Sequence, residues 1–564
     1  MVDVLKLQTE RLLDPRLSQK QTNPGFSTNM GASSVNYRRQ ASNSSSGNTS
    51  NINFNPVINT TSVLDRCMFT EVKFVLTFTG TTTGGNLLKS GYDSVRSFGS
   101  ITQNTQLSIN TQSISQESKY INHWLARFED MERMKNGLTL SPYMASPDYT
   151  QSYEIANGTN HFNSLGDFTS SSPNASGRGM HKVNVISNTP TSAVVELTVF
   201  DYIYLSPMVY DSNQLYQGIP HVSSLQLSYT LTNVQRIWAH SNAGGGTITN
   251  LQVAINQAWL NFTELTPPPQ VQIPSTVLLP YHEIERKLTN CNITIQPGAT
   301  STDLFSSTYT LNTIPLKCIV LVKERESDIS TLSQLLNTPD VYGSIQQISI
   351  QYANQPSIFI NCSPEQLYLI SSRNGYQGSL ESWRGETQIY NDSTGSTQIG
   401  LSGSVFCFDF GRDISVTDPS LLPSVASNVD FTINKITVKN TANRAISYDV
   451  EVFFIYDSVY EISLGSSRPY RAMILPSEVM DYPIVENKSV DVHLHGGDFK
   501  GMLKKALTGL KDSPILRKGA AALADAFIPQ PERDLLKKYT GVGVQGSGIT
   551  GNALIKKRNL KDRM

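Results

Sequence analysis

Residues 72–79, VKFVLTFT, send Val72, Phe74, Leu76 and Phe78 one way and Lys73, Thr77 and Thr79 the other. In an extended chain successive side chains point to opposite faces. A period of two therefore predicts a strand with one face in a core and the other toward solvent. The pattern recurs in VVELTV, where Val195, Leu197 and Val199 oppose Glu196 and Thr198, and in LQLSYTLT, where Leu225, Leu227, Tyr229 and Leu231 oppose Gln226, Ser228, Thr230 and Thr232. Charged residues are only 16% of the chain. The polar side of these strands is drawn from Ser, Thr, Asn and Gln, which suits a pleated, half-buried surface. The expectation is an all-β protein of the sandwich kind.

A chain of 564 residues is too long for one ordinary core. The sharpest break is TPPPQVQIP, Thr266 to Pro274, because consecutive prolines fix φ and remove backbone donors. Beyond it a second strand series follows: KCIVLVKE, SIQQISIQYA, GSVFCFDF, FTINKITVKN and YDVEVFFIYD. In the last of these Tyr448, Val450, Val452, Phe454 and Tyr456 alternate with Asp449 and Glu451. Each half carries one helix signal. In ESKYINHWLARFEDMERMKNG, Ile121, Leu125 and Phe128 share a face, Asn136-Gly137 is the stop, and the helix should lie against a sheet end. In the second half Ser363-Pro364-Glu365 supplies a cap, a proline at the first helical position and an acidic first turn, with Asn374-Gly375 as the stop. The halves share a layout without a sequence-level repeat.

The ends differ from the body. Residues 1–61, including SSVNYRRQASNSSSGNTSNINFNP, hold too few large apolar side chains for a core and read as a flexible or partner-ordered arm. The expected division is 1–61 arm, 62–266 first sandwich, 267–274 linker, 275–495 second sandwich and 496–564 tail. From Gly496 onward 14 lysines and arginines face six acidic residues, leaving 31 basic against 40 acidic in the body. FKGMLKKALTGLK places Phe499, Leu503, Leu507 and Leu510 on one face of a basic amphipathic helix. The basic positions Lys500, Lys504, Lys505, Lys511, Arg517, Lys518, Lys537, Lys538, Lys556, Lys557, Arg558, Lys561 and Arg563 are the candidate contacts to nucleic acid or the inner shell. Attraction to phosphate needs only a density of positive charge. A membrane or inner-protein contact, or a merely solvated end, stays open beside it. The long connection 141–179 is expected at an exposed or inter-subunit edge.

Chemistry has little to stand on. The five cysteines are an odd number, widely spaced and without a CxxC pair, which argues against a disulfide framework or metal cage. Gly541, Gly543 and Gly546 fit GxGxxG but follow no strand and read as a linker. His493 and His495 share a strand face without a third ligand nearby. Glu129 and Asp130 diverge on the predicted helix, and no GxSxG elbow occurs. No catalytic residue, cofactor or metal is expected. The four tryptophans, Trp124, Trp238, Trp259 and Trp383, read as core or interface anchors. The N-terminus lacks the apolar core of a secretory signal, and no stretch of 18 apolar residues occurs, so the expectation is synthesis in a reducing compartment without a membrane span.

EQLYLISSRNGYQGSLESW (365–383), GSVFCFDFGRDI (403–414) and FTINKITVKNTANRAISYDVEVFFIYDSVYEI (431–462) resemble the double jelly-roll major capsid proteins of virophages, polinton-like viruses and adintoviruses, with the Sputnik type nearest. RSFGSITQNTQLSINTQSIS (96–115), the helix near Glu117 and LSPYMASPDYTQSY (140–153) are similar to that family as well. The likeness covers roughly Val63 to Leu494. It excludes both ends, and implies two tandem jelly-roll sandwiches standing upright on a virion and three chains closing into a pseudo-hexagonal capsomer of an icosahedral shell; the arm 1–61 and the basic tail, partly helical by its own pattern, would then act as inward ties. Implied partners are the chain itself, penton and minor capsid proteins, and genomic nucleic acid or an internal membrane through the tail. A penton or spike type of attachment or glycan-binding protein, and a carbohydrate-active enzyme with tandem β domains, are the alternatives.

Overall fold

The computed structural model describes residues 31–43, 50–88, 93–95, 98–125, 128, 181–203, 205, 218–240, 246–301, 307–325, 342–385, 388–392, 395–399, 403–416, 418–441 and 445–471. In chain order the first strands are β1 (Ser34–Ala41), β2 (Asn51–Phe54), β3 (Val63–Leu64), β4 (Phe69–Thr82), β5 (Asp93–Val95), β6 (Thr102–Ile109), β7 (Gln112–Gln116), β8 (His181–Asn188), β9 (Ser192–Tyr202), β10 (Leu225–Leu231), β11 (Trp238–His240) and β12 (Gly246–Thr266). After the proline-rich segment come β13 (Thr276–Ile295), β14 (Ser307–Thr313), β15 (Lys317–Glu324), β16 (Ser344–Tyr352), β17 (Gln355–Ile358), β18 (Gln388–Asp392), β19 (Gly395–Ile399), β20 (Val405–Asp409), β21 (Ala426–Lys439), β22 (Ile446–Ser463) and β23 (Ser466–Arg471). Three α-helices are described: α1 (Ser118–Leu125), α2 (Pro364–Arg373) and α3 (Leu380–Arg384).

Each half builds two sheets. In the first, β1-β12-β4-β9-β8 faces β2-β10-β6-β7. In the second, β13-β22-β15-β20 faces β14-β21-β16-β17. Setting aside the extra edge strand β8 and the short pieces leaves eight strands and one order in both halves. The first, eighth, third and sixth form one sheet, and the second, seventh, fourth and fifth form the other. This is the double Greek key of a jelly roll, repeated without a repeated sequence. A helix follows the fifth strand of each set: α1 after β7, and α2 with α3 after β17.

The alternations read from the sequence set the inward faces. Val72, Phe74, Leu76, Phe78, Val195, Leu197, Val199, Leu225, Leu227, Tyr229 and Leu231 all lie in the first core. Buried and half-buried positions alternate along β9 and most of β4, and the two strands stay in register from Phe69 opposite Tyr202 to Thr79 opposite Ser192. Tyr448, Val450, Val452, Phe454 and Tyr456 lie in the second core.

Residues 34–41 and 51–54, expected within a flexible arm, are the first two strands of the first jelly roll. β1 pairs with β12 from Ser34 opposite Thr266 to Ala41 opposite Trp259, and β2 pairs with β10. The polar composition misleads because β1 is, among the described residues, an edge strand of its sheet with little buried side chain. β2 inserts only Ile52 and Phe54 into the core. Residues 1–30, the connection 141–179 and the tail 496–564 lie outside the described residues.

The cores do not stop at the prolines. β13 and β22 pair along their length, from Thr276 opposite Ser463 to Ile295 opposite Ile446. One end of this ladder puts Leu279, Tyr281, Tyr460 and Ile462 into the first core, and the other end puts Cys291, Ile295 and Val450 into the second. In return α1 places Ile121 and Trp124 in the second core. It also stays tied to β6 of its own sandwich, Ser118 Oγ lying 2.6 Å from Thr105 Oγ1, and so bridges the two.

Candidate assembly surfaces and the joint between the sandwiches

On the outer face of the second large sheet, Phe453 of β22 stands opposite Arg286 of β13 and Ile319 of β15. α1 lies over this row. The Trp124 ring is 5.4 Å from Phe453 and 5.8 Å from Phe128, and Phe128 is 5.8 Å from Tyr376 beyond α2. The Arg286 guanidinium sits 3.5 Å from the Tyr120 ring centre and bonds Glu117 at 3.1 Å and Glu451 at 2.6 Å. Burial works against the charge of Arg286, but Glu451 and then Glu117 hold its pKa above the ordinary value. Burial raises the Tyr120 hydroxyl. A desolvated cation between two carboxylates and an aromatic face is a strongly coupled unit, since removing one partner strands the other charge.

A second contact closes the other end of the joint. β22 and β23 form a hairpin through Leu464-Gly465, with Gly465 at φ 74°, where a side chain is disfavoured. The Tyr460 hydroxyl lies 3.3 Å from the carbonyl oxygens of Ile109 and Gln112 and 3.0 Å from Ser467 Oγ. Asn110 Nδ2 donates to the Ser466 carbonyl at 3.3 Å, and Ser467 Oγ donates to the Ile109 carbonyl. The hairpin thereby latches onto the turn between β6 and β7.

The segments 365–383 and 403–414 meet in a polar network beneath α2. Ser363 caps the helix in a reciprocal box with Gln366, and a Schellman closure at Asn374-Gly375 ends it, Tyr376 N–H donating to the Ser371 carbonyl. Asn374 Nδ2 donates to Asp413 at 2.6 Å and to the Ile370 carbonyl at 2.9 Å, while Arg412 donates to Asn374 Oδ1 at 2.6 Å. The buried Lys317 ammonium donates to the Asn374 carbonyl at 3.3 Å, placing a cation at the helix C-terminus. Burial lowers the Lys317 pKa and raises Asp409 to about 6 and Cys407 to about 12. The groups are tied to one another and to backbone, so the network fixes the helix on β20.

The first large sheet presents a different outer face. Arg39 of β1 lies 4.0 Å from the Trp259 ring centre and bonds Glu71 at 2.7 Å; Lys73 bonds Glu196 at 3.0 Å. Phe69 and Tyr202 meet edge to face at 6.4 Å. Tyr37 is 85% exposed and Val35 45% exposed.

The sequence candidates in the tail, Lys500 to Arg563, all lie outside the described residues, as do His493, His495, Glu129, Asp130 and Gly541 to Gly546. Trp124, Trp238 and Trp383 are buried and Trp259 is half-buried. Sequence reading missed Arg286 and Tyr120, because a charge in HEIERKL looks solvated until α1 arrives from far away in the chain. The five cysteines form no disulfide with one another, and burial raises the thiols of Cys291, Cys362 and Cys407, which removes thiolate character. Among the described residues no three His, Cys, Asp or Glu side chains could share a metal ion, and no helix is long and apolar enough to cross a membrane.

Residues 284–458 match the family model for the major capsid protein V20 C-terminal domain. The chain is 30% identical to the putative capsid protein V20 of Sputnik virophage, over 94% of this chain and 93% of that protein. It is similar to a chain in the 3.5 Å cryo-EM structure of Sputnik virophage, with a TM-score of 0.73 and 28% identity over 86% of this chain and 97% of that one. The mavirus major capsid protein shares the fold, with a TM-score of 0.64 and 14% identity over 86% and 99%.

Proposed function

The chain belongs to the V20 family of virophage major capsid proteins and is a structural protein of the virion; on that premise we propose that three copies close into a pseudo-hexagonal capsomer, the repeating tile of an icosahedral shell. The observation that carries this reading is the repeated strand order of two tandem sandwiches held together along β13 and β22. Two such units in one chain supply six around a threefold axis. Closed rotational symmetry then satisfies each contact patch without open-ended growth.

The tail after Gly496 is assigned to the interior, where its lysines and arginines neutralise phosphate. Penton and minor capsid proteins are the further partners. The sandwich boundaries near 267–274 follow the prolines in covalent order, while the cores interlock across them. Native mass spectrometry of the purified protein tests the reading. A species with the mass of three chains supports it, and a monomer at every concentration contradicts it.

A further inference from the structure

Lys317 on β15 and Asn374 at the end of α2 are 57 residues apart in the chain and meet in the buried layer beneath the helix. Lys317 is 3% exposed, Asn374 1% and the Asp413 side chain 5%. The Asn374 carboxamide is held in one orientation, because Arg412 donates to its Oδ1 at 2.6 Å while its Nδ2 donates to the Asp413 carboxylate at 2.6 Å. The Lys317 ammonium has its one hydrogen bond, among the described residues, on the main-chain carbonyl of the same Asn374, at 3.3 Å. It forms no ion pair among the described residues, although Asp409 stands opposite it in the ladder between β15 and β20. A buried ammonium with so little to replace its water is costly, and the site favours the neutral amine. Burial lowers the Lys317 pKa in that sense. An amine, an amide with a cation on its oxygen, and a carboxylate on its nitrogen are together the parts that an amide exchange needs.

We propose that Lys317 and Asn374 become joined by an isopeptide bond from Nζ to Cγ, with Arg412 and Asp413 as its catalytic residues. The fold holds amine and amide side by side, so the reaction is intramolecular and needs no encounter. Lys317 gives up a proton, and the neutral Nζ bonds to Cγ. Arg412, already on Oδ1, holds the negative charge that develops on that oxygen. Asp413, already on Nδ2, carries two protons in turn from Nζ to the departing nitrogen. The Cγ–Nδ2 bond then breaks and the nitrogen leaves as ammonium. Of the three protons of the Lys317 ammonium, two leave on that nitrogen and one stays on the new amide; Asp413 returns to a carboxylate, and nothing is oxidised or reduced. A neutral amide replaces a buried cation, which removes the cost of burying it. The bond ties β15 to the C-terminal end of α2. The five cysteines form no disulfide with one another, and this bond closes a 57-residue loop without requiring oxidising conditions.

Tandem mass spectrometry of a tryptic digest of the denatured full-length protein reads the bond directly. The expected result is a branched peptide that joins the Lys317 and Asn374 segments, lighter than their sum by the mass of one ammonia, with trypsin unable to cut after Lys317. Lys317→Met, which keeps the length of the side chain and removes the nucleophile, and Asp413→Asn, which removes the proton carrier, are each expected to give linear peptides of full mass, with circular dichroism checking that the variants fold. Linear peptides of full mass from the wild type overturn the proposal. Loss of ammonia that persists in Lys317→Met marks ring closure between Asn374 and Gly375 instead, and overturns it as well. A branched peptide that persists in Asp413→Asn overturns the catalytic role of Asp413. The wild-type digest decides by itself whether the bond exists, even where a variant fails to fold.

Discussion

Replacing Trp124 by alanine removes a side chain that belongs by sequence to the first half and by packing to the second. Its indole is 2% exposed and touches the rings of Phe453 and Phe128. Full burial of an indole removes roughly 150–250 Å² from water. At about 25 cal/mol per Å² this gives an upper value of roughly 4–6 kcal/mol, while measured Trp→Ala changes in cores cost about 3–5 kcal/mol. The lower range applies, because α1 is short and the site can partly collapse. A loss of about 3–5 kcal/mol corresponds to a fall of roughly 3–6 °C in the midpoint of a single transition that spans both sandwiches. The distinguishing feature is cooperativity. With α1 holding the two sandwiches together, differential scanning calorimetry of the wild type should give one transition and Trp124→Ala should split it or shift the second-sandwich part down. An unchanged single transition, with a midpoint matching the wild type, would refute the joint.

Three further outcomes follow from individual groups. Burial pushes the Asp201 carboxyl up to about 8, so the folded chain holds a proton that the unfolded chain releases near pH 4. Stability from this group therefore falls as pH rises from about 4 to 8, by on the order of 1.4 kcal/mol per pH unit. Asp201→Asn should remove that slope in urea titrations across the window, and a parallel slope in the variant would sink the assignment. Asn374→Ala breaks the bonds to Asp413 and Arg412 and should cost roughly 2–3 kcal/mol by denaturant unfolding, whereas Ser363→Ala at the other end of α2 should cost about 1 kcal/mol. Deleting 496–564 should weaken binding to double-stranded DNA and flatten its salt dependence by about 0.9 in log–log slope for each phosphate that the tail neutralises; identical slopes would assign the tail another role.

Much of the fold was legible because its core strands are half-buried and keep a strict period, as in Val72 to Phe78. The caps of α2 were legible because Ser363 and Asn374-Gly375 act locally, within hydrogen-bond reach of their own helix. β1 was not, since SVNYRRQA owes its place to backbone pairing with β12 and not to buried side chains. Asp449 and Glu451 also escaped a simple reading: they sit on the polar side of an alternating strand yet are buried, because Arg325 and Arg286 reach them from distant segments. Periodicity reports which face is apolar. It carries no information about what a helix from the other sandwich will later cover.

The most direct test of the account is an electron-microscopic reconstruction of the purified assembly at a resolution that separates individual sandwiches. Six sandwich densities in a closed ring, alternating first and second around a threefold axis, are the predicted result. A ring of any other number, or one in which each chain contributes a single sandwich, would contradict it.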